Sequence, residues 1–235
     1  MERAFLIGTP PVEVTLRRSD RARRFSLRIS RVNGQVTLSL PKWAPEAEAL
    51  RFAASQEGWI RRALAARPVT QGLHVGAMMP FAGQMLRIEA GAVRAVQVTD
   101  GCLIVPNAAR DAPGARIEAF VKLAARQRLQ VACDHYGGLI GRSPAGIALR
   151  DTRSRWGSCS SAGRLMFSWR LMLAPPAVLD YVAAHEVAHL AQMNHSPAFW
   201  AVVRRIMPDY QVHRAWLRAQ GGGLQAIRFR ADAGD

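Results

Sequence analysis

Four residues near the C-terminal end of this chain have the types and spacing to hold a divalent metal and use it: His185, Glu186, His189 and His195. The first three form His185-Glu186-Val187-Ala188-His189 inside the segment LDYVAAHEVAHLAQM, whose apolar repeat predicts a helix. Residues four apart are neighbours on a helix face, so two imidazoles can reach one ion at a separation the backbone fixes. Glu186 is turned by about 100° from His185 and projects beside the ion rather than onto it. From there it can take a proton from a metal-bound water and later pass it to a leaving group.

A catalytic zinc needs a third protein ligand and an open position. Downstream of Glu186 the acids are Asp209, Asp232 and Asp235, so no later glutamate completes a site of two histidines and one glutamate. His195, six residues past His189, is the natural third ligand. Asn194 is expected to end the helix in a left-handed turn and Ser196-Pro197 to start the next one, which places His195 at the corner between two helices. One Zn2+ per chain is the expected cofactor. His213 could close the set instead, in which case four ligands would make a structural site.

The elements that must position these residues are legible in part. FSLRIS (25–30) and QVTLSL (35–40) alternate apolar and polar residues around Val32-Asn33-Gly34, a β-hairpin pattern over 25–40. Pro41 and Pro45 end the second strand, and Leu50, Ala53, Ala54, Ile60 and Leu64 predict one helix over about 46–66. Short β-like runs fill 67–110. From about Ala115 an amphipathic helix carries Ile117, Phe120, Val121, Ala124, Leu129 and Ala132 and is expected to end at Gly137-Gly138. IALRD (147–151) is a short strand, and RWGSC (155–159) and RLMFSWRLML (164–173) form a second hairpin. Pro175-Pro176 opens the histidine helix, expected to run through Met193, and further helices are expected from Ser196-Pro197 to about Met207 and from Asp209 to Gln220. Gly221-Gly222-Gly223 reads as the start of a loose tail. No internal sequence repeat is evident.

These patterns give an α+β chain with a β-rich region over 1–110, a catalytic core over 111–220 and a flexible tail over 221–235. No Ser/Gly-rich linker divides the first two, so they are expected to pack as one compact unit.

The net charge is +15, almost all from arginine, since Lys42 and Lys122 are the two lysines. The charge is spread along the chain rather than gathered in one block, and arginine-rich codon usage would give the same total; a nucleic-acid partner or an anionic substrate is permitted without being specified. The densest cluster, Arg17, Arg18, Arg21, Arg23 and Arg24, reads as a solvated strand edge or turn. Cys102, Cys133 and Cys159 are odd in number and lack paired spacing, which suits a reducing compartment, so a cytoplasmic location is expected. The opening MERAFLIGTPPVEV is too short an apolar run for a signal peptide, and no segment approaches the ~18 apolar residues of a membrane helix, so no membrane partner is expected. The sequence carries no sign of oligomeric state.

The stretch RWGSCSSAGRLMFSWRLMLAPPAVLDYVAAHEVAHLAQMNHSPAFW (155–200) resembles the signature of the YgjP-like metallopeptidase family, a more distant relative of the SprT-like and WLM-like zincins. The likeness extends over about 20–218 and includes Trp59-Ile60-Arg61-Arg62. It implies a zincin-like core with the histidine helix beside a small antiparallel sheet, His185, His189 and His195 as zinc ligands, and Glu186 as catalytic base. The His189-to-His195 spacing is also that of metzincins, but Gln192 stands at their glycine position, so the turn must be made differently. Arg155, Trp156, Gly157 and Ser158 could form a strand that binds an extended substrate, or a hairpin packed beside the core. Phe199 and Trp200 read as core anchors of the following helix. Tyr181, Tyr210, His213 and Arg153 are candidate donors to a developing oxyanion.

Peptide-bond hydrolysis is the leading reading. Hydrolysis of nucleotide phosphates or another small molecule is an alternative that the arginine content favours, and a SprT-like protease directed at DNA-bound targets is another.

Overall fold

The computed structural model describes residues 3–30, 34–65, 71–152 and 154–230. The expected turn residues Val32 and Asn33, the junction 66–70, Arg153 and the last five residues lie outside these. The chain forms two compact units, Met1–Val69 and Thr70–Asp235.

In the first unit, strands β1 (Arg3–Ile7), β2 (Val12–Ser19), β3 (Ser26–Ile29) and β4 (Val36–Pro41) form a sheet in the order β1-β2-β4-β3. The expected hairpin is the β3–β4 pair, antiparallel with Ile29 opposite Val36, while β2 and β4 run parallel. Val14, Leu16, Val36, Leu38 and Leu40 point to one face and join Ala49, Ala53 and Ile60 in the core of this unit. The helix expected over 46–66 is two helices, α1 (Glu46–Ser55) and α2 (Glu57–Ala65). Gln56, at φ −97° and ψ 6°, leaves the helical region between them.

The second unit begins with β5 (Gln71–Gly72) and a sheet of β6 (Met78–Phe81), β7 (Gln84–Gly91), β8 (Gln97–Thr99) and β9 (Cys102–Pro106) in the order β6-β7-β9-β8. Its β7–β9 pair is parallel and its outer pairs antiparallel, so the two units repeat one sheet topology without a repeat in sequence. Then come α3 (Gly114–Ile140), β10 (Gly146–Arg150), β11 (Gly157–Cys159), β12 (Arg164–Ser168), a 3₁₀ turn over Trp169–Leu173, α4 (Pro176–Ala188), α5 (Pro197–Ile206), α6 (Tyr210–Ala226) and β13 (Ile227–Arg228), which pairs with β5. Strands β10, β12 and β11 form a mixed sheet: β11–β12 is the expected antiparallel hairpin, and β10 adds a parallel neighbour to β12.

The observed division falls at Val69 and Thr70, whereas the sequence pattern set a boundary near 110. The cause is packing. Met79, Leu86, Ile88, Leu103 and Val105 of the second sheet are buried with Ile117, Val121 and Leu129 of α3 and with α4, in one core that excludes the first unit's residues. Glycines did not end the helices where sequence placed the ends. Helix α3 passes through Gly137-Gly138 and stops at Gly141, whose φ of 66° is the left-handed conformation glycine adopts without strain. Helix α6 runs through Gly221-Gly222-Gly223, and at Gly221 the Trp156 ring packs so close that a Cβ would lie 2.9 Å from it. Contact between that ring and the bare backbone offsets the helix cost of glycine, about 1 kcal/mol per residue.

Helix α4 is buried on nearly all sides, with Val178, Leu179, Val182, Ala183, Ala184, Val187 and Ala188 in the core. An apolar circumference of this kind marks a central helix rather than a surface one. Among the described residues, no helix is long and apolar enough to cross a membrane.

Candidate metal centre

Helix α4 presents His185 and Glu186 from its last turn and ends at Ala188, with His189 as the first residue past it, at φ −64° and ψ −21°. The expected extension to Met193 is replaced by a tight turn in which the Leu190 N–H donates to the Val187 carbonyl and the Gln192 N–H to the Ala188 carbonyl. Asn194 does not take the left-handed conformation foreseen for it; among the described non-glycine residues, Ala82 and Asp100 do. This turn returns the chain toward α4, so that His195 comes back to His185. Ser196 then caps α5 by accepting from the Phe199 N–H at 3.4 Å, with Pro197 in the first turn, so His195 stands immediately before a capped helix.

One ligand atom from each of His185, His189 and His195 lies within 4.8 Å of the other two. The Nε2 atoms of His185 and His195 are 3.0 Å apart. Imidazole nitrogens bind a divalent metal such as zinc at about 2.0–2.1 Å, so a single ion can bridge that gap. His189 Nδ1 lies 3.0 Å from the Gln192 carbonyl. A carbonyl can only accept, so Nδ1 carries the proton and Nε2 the free lone pair, the arrangement usual for a metal-bound histidine. Burial, then the neighbouring His189, His195 and Arg214, push His185 down to about 3, and burial also lowers His189. Both rings are therefore neutral near pH 7 and able to donate electron pairs. Among the described residues the buried His185 Nδ1 has no hydrogen-bond partner. The three residues fit a divalent metal.

Glu186, 6 % exposed, faces β11. Burial pushes its carboxyl up to about 7, with Arg155 pulling partly the other way.

Of the four residues expected to contact substrate, Gly157 and Ser158 lie in β11, an edge strand that among the described residues pairs with β12 alone. Gly157 abuts Glu186, Arg155 acts on Glu186 by charge, and Trp156 packs on Gly221. A cavity of about 500 Å³ lined by Arg142, Ser143, Cys159, Ser160, Ser161 and His189 opens beside the centre. Of the candidate oxyanion donors, Tyr181 is buried one turn before His185, its ring centroid 6.0 Å away, and burial pushes its hydroxyl up to about 12. Tyr210 is buried and stacked between Tyr181 and Trp200. His213 Nε2 sits 3.0 Å from Asp209 Oδ2, and the metal-ligand group found among the described residues does not include it. The closed four-ligand alternative therefore has no support among those residues.

Sequence reasoning missed the part played by Phe199. Its fully buried ring contacts all three imidazoles, with centroids 4.9 Å from His185, 4.5 Å from His189 and 4.9 Å from His195. Trp200 stacks on His195 and is capped by the Arg214 guanidinium at 4.7 Å. The available signal was position: Phe199 is four residues after His195, one helical turn into α5.

The profile of the YgjP-like metallopeptidase domain matches residues 23–220. The crystal structure of the metallopeptidase zymogen of Pyrococcus abyssi abylysin is similar at 19 % identity and a TM-score of 0.36, over 39 % of this chain and 95 % of that one. No curated protein matches. With the profile spanning most of both units and the whole histidine cluster, the chain belongs to the YgjP-like metallopeptidase domain family.

Proposed function

We propose that the chain is a zinc-dependent peptidase in which His185, His189 and His195 hold the ion and Glu186 is the general base. The observation that carries this reading is the convergence of three imidazoles beside a buried carboxyl, with His185 and Glu186 side by side on α4. Zinc held there supplies Lewis acidity, which polarises the scissile carbonyl and acidifies water. Glu186 takes the proton of the attacking water and returns it to the departing nitrogen. A carboxyl near 7 is matched to both halves of that transfer at neutral pH. The free edge of β11 pairs with an extended substrate backbone and holds the scissile bond beside the carboxyl. Tyr181, Tyr210, His213 and Arg153 remain the candidates for stabilising the oxyanion.

The arginine and serines lining the adjoining cavity favour a second reading, hydrolysis of an anionic substrate such as a nucleotide phosphate. One experiment separates them. Zinc-loaded protein is offered a peptide library and nucleoside triphosphates, alongside Glu186→Gln. Turnover of peptides that the variant loses supports the peptidase. Turnover of triphosphates alone replaces it with the second reading, and equal rates in variant and wild type remove Glu186 from the chemistry.

A further inference from the structure

One face of the first unit's sheet packs into its core. Register places Arg17, Ser39 and Ser26 in one row of the opposite face and Thr15, Thr37 and Arg28 in the next; Arg17, Ser26 and Arg28 are exposed, Ser39 and Thr37 are half-buried, and Thr15 is buried. The remaining row pairs Leu6 with Glu13, at the far end from the β2–β3 loop. That loop carries Arg21, Arg23 and Arg24 and joins the end of β2 to the start of β3, beside the Arg17 row. Arg17, Arg21, Arg23, Arg24 and Arg28 are all exposed, and none has an ion pair among the described residues, whereas Asp20 in the same loop is taken by Lys42 at 2.7 Å.

At this end of the sheet, just past β4, Trp43 is 78 % exposed. It is not on a loose loop. Arg18 Nη1 donates to the carbonyls of Lys42 and Ala44 at 2.8 and 2.9 Å, gripping the chain on both sides of the tryptophan, and Ala44 is buried in the core. The fold thus holds a large aromatic ring out in water next to a field of uncompensated guanidinium groups. Folding gains nothing from this.

We infer that this end of the first unit binds single-stranded nucleic acid, with Trp43 stacked on a base and Arg17, Arg23, Arg24 and Arg28 on the flanking phosphates. Aromatic rings with cationic grooves are how such strands are held without sequence preference. A duplex keeps its base faces covered, which leaves an indole nothing to stack on. A lipid surface would call for further apolar residues around the tryptophan, and the adjacent rows are serine, threonine and arginine.

The test is fluorescence anisotropy of the full chain with a labelled oligothymidylate of about 15 nucleotides, a duplex of the same length, and phosphatidylcholine–phosphatidylserine vesicles as a competitor. The expected result is preference for the single strand, with affinity falling about 50-fold between roughly 50 and 200 mM salt for four neutralised phosphates. Trp43→Ala should weaken binding about 5- to 100-fold and Trp43→Phe should restore most of it. Arg23→Ala with Arg24→Ala should lower the salt slope by about 1.4. Both sites are on the surface, and thermal melts establish that the variants fold. No binding at low salt, equal affinity of Trp43→Ala and wild type, equal affinity for the duplex, or complete displacement by vesicles would overturn the inference. Binding by Glu186→Gln is expected to match wild type, so the outcome is independent of the hydrolytic reading.

Discussion

A Cβ at position 157 would lie 2.6 Å from both Cγ and Oε1 of Glu186, closer than real Cβ contacts come. Strand β11 therefore approaches the carboxyl of α4 this tightly only because residue 157 is glycine. The proposed substrate-binding edge and the proposed base are separated by the width of a missing methyl group.

Gly157→Ala should push the Glu186 carboxyl aside while leaving the backbone in place, because the clash is with a side chain. The expected effect on the zinc-loaded enzyme is a fall in kcat of about 10- to 100-fold, the usual cost of a misplacement near 1 Å. Metal content measured on the same sample should not change. An unaltered rate would mean that the carboxyl does its work from another position, or does none.

Phe199 supports all three imidazoles, so shortening it should loosen them together. Phe199→Leu is expected to weaken zinc binding about 10- to 100-fold, as outer-shell changes do. The metal-free protein should lose about 1–2 kcal/mol. Chelator competition measures the first and denaturant unfolding the second. Lost stability with unchanged metal affinity would reduce Phe199 to a core filler.

Metal bound only by the folded site adds stability by mass action, about 2.7 kcal/mol at a free concentration of 100 Kd. For a unit of this size a chelator should then lower Tm by about 5–10 °C. In His185→Ala, which lacks one ligand, the chelator should make little difference, as differential scanning calorimetry would show.

Glu118 on α3 gives a pH signature. Burial pushes its carboxyl up, but hydrogen bonds from Lys122 and from Arg230, the latter at 2.9 Å, outweigh burial and leave it below the usual value. A carboxylate lowered by folding contributes stability above its unfolded value, near ~4.3, and loses that contribution as pH falls through the folded one. Glu118→Gln should cost about 1 kcal/mol at neutral pH, a modest figure because Arg230 is exposed. The gap to wild type should close below about pH 4 in urea titrations at stepped pH.

Cys133 is fully buried, and burial, then Asp134 and Glu186, push its thiol up to about 12. Iodoacetamide should modify Cys102 and Cys159, both partly exposed, well before Cys133. Peptide mass spectrometry should find Cys133 alkylated only at the rate of unfolding. Rapid labelling in the native protein would contradict the packing of α3.

The parts of the structure legible in sequence are those governed by local periodicity. The four-residue step from His185 to His189 follows from helix pitch, the β3–β4 hairpin from alternation, and the start of α5 from Ser196-Pro197. Tertiary contacts decided the rest, since they join residues whose separation in the chain says nothing about their distance in space. Local rules made Gly221 a breaker, yet Trp156 turned it into a packing surface; they made Gly157 an ordinary strand residue, yet Glu186 occupies the space its side chain would need. The same holds for the division at Val69 and Thr70, which reflects two sets of apolar side chains closing on themselves and leaves no mark in composition.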